Sequence, residues 1–216
     1  KWTVTEVKAE NIPTKNVEKS QAILDQFKWV DEKAKANANQ VVGKVTADFI
    51  PEGADYITGD AHVTTMPRAQ IEDTALMDLI NEVQQYYAKA EISTAALFNY
   101  DQNLKAGDFK RKDVAFIYKY DNTLMAVNIT GKNLLAYMEW TVDSYQTAHE
   151  GDVTIAFNPN FRAYNYDMLA GIDYEIDLSK DAGHRITNAT IGGKPVDPSA
   201  TYKLAVNNYR FGTLMS

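Results

Sequence analysis

The stretch Phe161-Arg-Ala-Tyr-Asn-Tyr-Asp-Met-Leu-Ala-Gly-Ile-Asp-Tyr-Glu-Ile-Asp177 limits what this chain can fold into more than any other part of it. It places Phe161, Tyr164, Tyr166 and Tyr174 beside Arg162, Asn165 and Asp167, just ahead of Gly171, within one turn-and-strand unit. A fully buried strand has little use for the Arg, Asn and Asp, because a buried polar group costs free energy unless it is paired. Flat apolar faces next to hydrogen-bonding groups suit a planar ligand with polar edges.

The 216 residues and 45% hydrophobic content allow one large domain, or a domain with an appended element, and a real core. A net charge of -7 argues against broad electrostatic binding to polymeric nucleic acid or an anionic membrane. Without cysteine there are no disulfides, thiolate nucleophiles or cysteine-based metal sites. No apolar run approaches the roughly 20 residues of a membrane span. The first residues, Lys1-Trp-Thr-Val-Thr-Glu-Val, read like the tail of a strand, with no initiator Met and no signal peptide, so a fragment of a longer chain is expected.

The opening strand-like piece should reach Ile12-Pro13. Ile23, Phe27 and Val30 then recur at helical spacing within an amphipathic helix over residues 16–38, which reads as a surface helix or as an interdomain linker. Residues 50–68 are turn-rich. A second helix should start near Asp73-Thr74, with those residues capping its first amides and Leu76, Leu79, Ile80, Val83, Tyr86 and Tyr87 on its core side. Ile92-Ser-Thr-Ala-Ala-Leu-Phe98 reads as a buried strand running into a polar loop to Gly107. The apolar run Val114-Ala-Phe-Ile-Tyr118, the turn Tyr120-Asp-Asn-Thr123 and the alternating strand Leu124-Met-Ala-Val-Asn-Ile129 follow, and residues 130–140 switch to helical spacing. Residues 152–157 have β character, residues 174–178 alternate, and Gly192-Gly-Lys-Pro-Val-Asp-Pro198 is a turn between short strands. A last strand, Tyr202-Lys-Leu-Ala-Val206, delivers Asn207-Asn-Tyr-Arg210. Hairpins mixed with separated helices predict an α+β fold, with a mixed or antiparallel sheet and packed helices.

Several chemistries are missing. His62, His149 and His184 are isolated, with no spacing that would gather metal ligands. Neither a nucleophile elbow nor a phosphate-cradling glycine loop occurs. Adjacent Glu72 and Asp73 read as charges at a helix start.

Three segments, Ala96-Leu-Phe-Asn-Tyr-Asp-Gln-Asn-Leu-Lys-Ala-Gly-Asp108, Tyr118-Lys-Tyr-Asp-Asn-Thr-Leu124 and Tyr164-Asn-Tyr-Asp-Met-Leu-Ala-Gly-Ile-Asp-Tyr174, are followed by Leu204-Ala-Val-Asn-Asn-Tyr-Arg210. In this order they resemble the C-terminal domain of the 5'-nucleotidase family, in particular its bacterial 2',3'-cyclic-nucleotide 2'-phosphodiesterase/3'-nucleotidase branch. The resemblance implies that residues 41–216 bind nucleotides or nucleosides. It also implies that residues 1–40 end a preceding metallophosphatase domain and form the linker helix on which the two domains rotate. That absent domain would carry two divalent metal ions, which activate water for attack on phosphate. Export to the cell surface, periplasm or cell wall is implied as well.

By position in the family pattern, Tyr164 and Tyr209 would be the two aromatic jaws on the base, with Tyr166 the rival for the first jaw. Asn99 and Asp101 would meet ribose or base edges, Arg162 or Arg210 the phosphate, and Asn165 would belong to the same site. The chain departs from the family in lacking a Gly-rich segment ending in Arg near residues 99–103, and in following Tyr209 with Arg-Phe-Gly-Thr instead of Gly-Gly-Asp. The competing expectation is a non-enzymatic surface module whose tyrosines bind carbohydrate or protein.

Overall fold

The computed structural model describes residues 2–49, 59, 68–98 and 103–214, which divide between two compact units, Lys1–Gln40 and Val41–Ser216. In the first unit residues 2–20 form no strand, contrary to expectation, since an extended segment with no neighbouring strand has no partner for its amides and carbonyls. Helix α1 spans Gln21–Ala38 and begins after Ser20, later than its apolar spacing suggested. No residue of α1 is buried, and Ile23, Phe27 and Val30 are 58%, 51% and 41% exposed along one face.

The second unit runs through β1 (Val41–Val45), α2 (Ala75–Ala88), β2 (Ile92–Ala96), β3 (Gly107–Lys110), α3 (Arg111–Ile117), β4 (Leu124–Thr130) and α4 (Gly131–Val142). It continues through β5 (Asp167–Ala170), β6 (Asp173–Ile176), β7 (Ile186–Ile191), β8 (Lys194–Pro195), β9 (Thr201–Asn207) and α5 (Asn208–Leu214). The central sheet has the order β4-β9-β2-β5, with β2 and β9 parallel and the outer pairs antiparallel. A small β1–β3 ribbon and a β6-β7-β8 meander are interleaved with it in sequence. This is a mixed-sheet α+β architecture, as the pattern of elements predicts.

Every residue of β2 is buried, as its run of small and apolar side chains requires of a strand covered on both faces. Alternation along the strands then divides the core in two. Ala95 and Met168 join Leu76, Met77, Ile80, Val142 and Tyr145 on one side. Ile92, Leu169, Leu204 and Val206 join Leu134 and Met138 on the other. Gly171 lets the chain turn between β5 and β6, because it has φ +81° and any Cβ there would meet the Glu91 carbonyl.

Several elements differ from expectation. Thr74 is the N-cap of α2, but its hydroxyl makes no capping bond and is buried without a partner. The buried face of α2 is Leu76, Met77, Ile80, Asn81 and Gln84, while Val83, Tyr86 and Tyr87 are exposed. Gln84 is held inside because its amide donates to Ser93 Oγ at 2.8 Å and to the Thr94 carbonyl at 3.0 Å. Residues 114–117 are helical, in a helix whose first turn is closed by the Lys110 amide donating to Asp113 at 2.7 Å. Residues 152–157 contribute only an isolated bridge from Phe157 to Tyr145. Most of the turn-rich stretch 50–68 lies outside the described residues. Among the described residues no helix is long and apolar enough to cross a membrane.

Burial raises the pKa of Tyr137, Tyr166 and Tyr174 above the ordinary 10.0, well above it for the first two. The unfolded chain therefore releases these protons first, so their contribution to stability is complete below pH 10.0 and is lost as pH rises beyond it. In an alkaline titration, ionisation of these rings, followed by tyrosinate absorbance, should coincide with loss of circular dichroism. Ionisation within a still-folded chain would contradict this account.

Candidate functional site

The strand directions bring four segments to one end of the central sheet. β2 and β9 run parallel, so Phe98, just beyond the C-terminal end of β2, and Asn207, the last residue of β9, emerge together. β4 and β5 run the opposite way, with Leu124 opposite Asn207 and Asp167 opposite Ala96. The turns preceding those strands, residues 120–123 and 161–166, therefore arrive at the same edge. Asn208 joins them by accepting from the Thr123 amide at 2.8 Å through its side chain and donating its own amide to the Thr123 carbonyl at 2.9 Å.

Here a cleft of about 210 Å³ is lined by Phe98, Tyr120, Asn122, Tyr164, Asn207, Tyr209 and Arg210. Tyr120, Tyr164 and Tyr209 are 49%, 40% and 50% exposed, unusual for rings that could be covered by packing. Phe98 supports the floor, edge-to-face with Tyr120 at 4.9 Å and with Tyr118 at 5.2 Å. Tyr164 and Tyr209 touch edge-to-face, with centroids 6.5 Å apart and planes 71° apart. A hydrogen bond with Tyr164 is the main cause of a raised Tyr209 pKa.

Beneath the tyrosines lies a buried ion pair. Arg210 Nε donates to Asp167 Oδ2 at 2.7 Å and Nη2 donates to Oδ1 at 2.8 Å, with both side chains under 5% exposed. Nη1 donates to Asn165 Oδ1 at 2.8 Å and Nη2 also donates to the Tyr164 carbonyl at 2.9 Å. Tyr137 donates to the same carboxylate, and the Asp167 amide donates to Thr141 Oγ1 at 2.5 Å. The guanidinium lies 5.3 Å from the Trp140 ring centre. Burial pulls the Arg210 pKa down, and the hydrogen bonds and charge of Asp167 more than reverse this, leaving it raised.

The sequence-derived residues are thus redistributed. Tyr164 and Tyr209 both line the cleft, but in contact with each other and without a gap between them. Tyr166 is buried, its ring edge-to-face with Tyr145 at 5.1 Å, so it belongs to the core and is no jaw. Arg210 lines the cleft and has all three guanidinium nitrogens engaged inside the protein. Asn165 is occupied by Arg210. Arg162 is exposed, and its charge is felt at Tyr209. Asn99 and Asp101 lie outside the described residues. Among the described residues no cluster of His, Cys, Asp and Glu could hold a metal ion.

Sequence reasoning missed Tyr120, Asn122, Phe98 and Asn207 as lining residues. The available signal was an aromatic or amide at the sheet-proximal end of each predicted strand, since loops at strand ends commonly carry ligand contacts.

The class of protein is set by this fold together with a family model, "5'-nucleotidase, C-terminal domain", which matches residues 41–214. The chain belongs to that family. The trifunctional nucleotide phosphoesterase protein YfkN of Bacillus subtilis is 31% identical over 66% of this chain and 12% of its own length. The 2',3'-cyclic-nucleotide 2'-phosphodiesterase/3'-nucleotidase of Haemophilus influenzae is 27% identical over 97% of this chain and 36% of its own. A Staphylococcus aureus structure assigned to the 5'-nucleotidases shares the fold, with a TM-score of 0.68 at 19% identity over 93% of this chain and 36% of that one. The chain thus spans only about a third, or less, of the length of these relatives.

Removing one partner of the buried pair leaves an uncompensated charge, so Arg210→Ala should destabilise the chain by about 3–5 kcal/mol in urea unfolding. A loss below about 1 kcal/mol would mean that water reaches Asp167 and screens it.

Proposed function

We propose that this chain is the nucleoside-binding part of a longer, exported, metal-dependent hydrolase acting on 2',3'-cyclic nucleotides and 3'-nucleotides. The reading is supported by family membership, by the names of relatives that cover nearly all of this chain, and above all by one observation. Three half-exposed tyrosines edge a small cleft with asparagine amides at its base. A purine or pyrimidine presents two apolar faces and a polar rim, and base-on-aromatic stacking contributes on the order of 1–3 kcal/mol per base.

A base held between two rings needs parallel faces roughly 7 Å apart, twice the contact distance of carbon atoms. Tyr164 and Tyr209 meet edge to face with centroids 6.5 Å apart, so turning one half-exposed ring face-on to the other would open such a slot, and the Tyr120–Phe98 side of the cleft offers a second apolar wall. Asn122 and Asn207 face the polar rim, and the exposed Arg162, whose charge acts at Tyr209, is the cation for phosphate. Two divalent metal ions in the preceding metallophosphatase domain would supply the activated water, leaving base capture to this chain.

Calorimetric titration of the 216-residue chain with adenosine tests this reading. Tyr209→Ala and Tyr120→Ala should each weaken binding by about 1–3 kcal/mol. Unchanged affinity in both variants, or stronger retention on a glycan array than of any nucleoside, would overturn it. So would turnover of 3'-AMP by the isolated chain with added divalent metal.

Arg162→Ala should lower the affinity for 3'-AMP while sparing adenosine, with the 3'-AMP loss shrinking at high salt. Equal losses for the two ligands would remove Arg162 from the phosphate.

A further inference from the structure

Two residues of the cleft, Asn122 and Asn207, also line a second and larger groove of about 330 Å³ walled by α2, β3, α3 and β4. Its lining is chiefly apolar, with Leu79, Val83, Phe109, Val114, Ile117 and Leu124 around it. Gln84 adds little polarity, because its amide nitrogen is spent on Ser93 and Thr94. Val83 and Val114 are 47% and 49% exposed, so this apolar surface meets water at a cost that a covering group would remove. An apolar cavity of about 150 Å³ already holds a benzene ring, so the groove has room for one.

The junction between cleft and groove is polar and incompletely paired. Asn207 is only 8% exposed; its Oδ1 accepts from the Arg210 amide at 2.8 Å, while its Nδ2 has no partner among the described residues. Asn122 is the converse, with Nδ2 donating to the Tyr118 hydroxyl at 3.1 Å and Oδ1 without a partner among the described residues. Buried polar groups are normally paired, so an open donor and an open acceptor at one junction call for a ligand edge that completes both. The amine edge of adenine is such an edge, an N–H donor next to a ring-nitrogen acceptor. Replacing one hydrogen of that exocyclic amine by a carbon group keeps one N–H and the acceptor, and directs the carbon group past the two asparagines.

We propose that the groove is a subsite for an apolar group carried on the base, so that cleft and groove together take nucleosides whose exocyclic amine bears an alkyl or aryl substituent. The proposal rests on the base-binding reading of the cleft and extends it to a substrate class. An unsubstituted base leaves the groove wet, whereas a substituted one covers apolar surface on both partners and so binds more tightly. The gain belongs to one attachment point: a carbon group on the ribose, away from the amine edge, leaves the asparagine junction behind it and gains nothing from the groove.

The test titrates the 216-residue chain by calorimetry with adenosine, N6-benzyladenosine and 5'-O-benzyladenosine. N6-benzyladenosine should bind about tenfold more tightly than adenosine, and 5'-O-benzyladenosine no more tightly. Nuclear Overhauser contacts should run from the benzyl protons to the methyl groups of Val83 and Val114. Val114→Asp puts a charge in the groove, and the affinity ratio of N6-benzyladenosine to adenosine should fall from about ten to about one or below. Should Val114→Asp fail to fold, Val83→Asp on the opposite wall decides in its place. If adenosine binds and the N6-benzyl group brings no gain, the proposal falls while the base-binding reading stands. An equal gain from the 5'-O-benzyl group, or a ratio that survives the groove substitution, would also overturn it. A dimer in sedimentation that N6-benzyladenosine fails to disperse would give the groove to a second copy of the chain. If none of the three nucleosides binds, the base-binding reading fails and the proposal with it.

Discussion

A carboxylate buried at the first residue of β5 must be neutralised where it stands, and much of the local structure follows from that requirement. Asp167 is 2% exposed and receives hydrogen bonds from Arg210 on α5 and Tyr137 on α4, while its own amide is taken by Thr141. A strand and two helices, far apart in sequence, are thereby joined through one side chain. Because each donor is itself buried, substitution of any of them leaves a polar group without water, which is a larger cost than the loss of one bond.

The apolar and polar parts of the second unit divide the work. The two hydrophobic clusters on either side of the central sheet bring the strands together, but hydrophobic burial has no direction and would not decide which way a ring at the rim should face. Direction comes from the polar network at the sheet end, where Trp140 covers the guanidinium and is itself packed against Tyr137 and Phe161. The exposed tyrosines thus rest on a base that is buried and hydrogen-bonded.

Much of the architecture was legible in the sequence. The alternation of Leu124–Thr130, the continuous apolar run of β2 and the helical spacing of α4 come from side-chain periodicity, which survives without knowledge of partners. What failed were the readings that depend on a partner: an extended N-terminus with no strand to join, and a helix face whose buried end is Gln84. The site shows the same division. Tyr164 and Tyr209 could be placed at the site through the family resemblance, whereas the burial of Tyr166 and the occupation of Arg210 depend on residues more than 20 positions away. Tyr120 was read only as part of a turn because nothing in its neighbours shows that β4 and β9 run side by side.

The cleft also has a bearing on how the chain acquires it. Its lining comes from residues 98, 120–122, 164 and 207–210, so it exists only after β2, β4, β5 and β9 have all found their neighbours. Closing such long loops is the slow, entropically costly part of assembly. β9 follows β2, β4 and β5 in the chain yet lies between β4 and β2, so the cleft cannot form before β9 has been made. A ligand that favours the finished cleft would therefore favour the completed sheet as a whole, acting on the folding equilibrium as well as occupying a site.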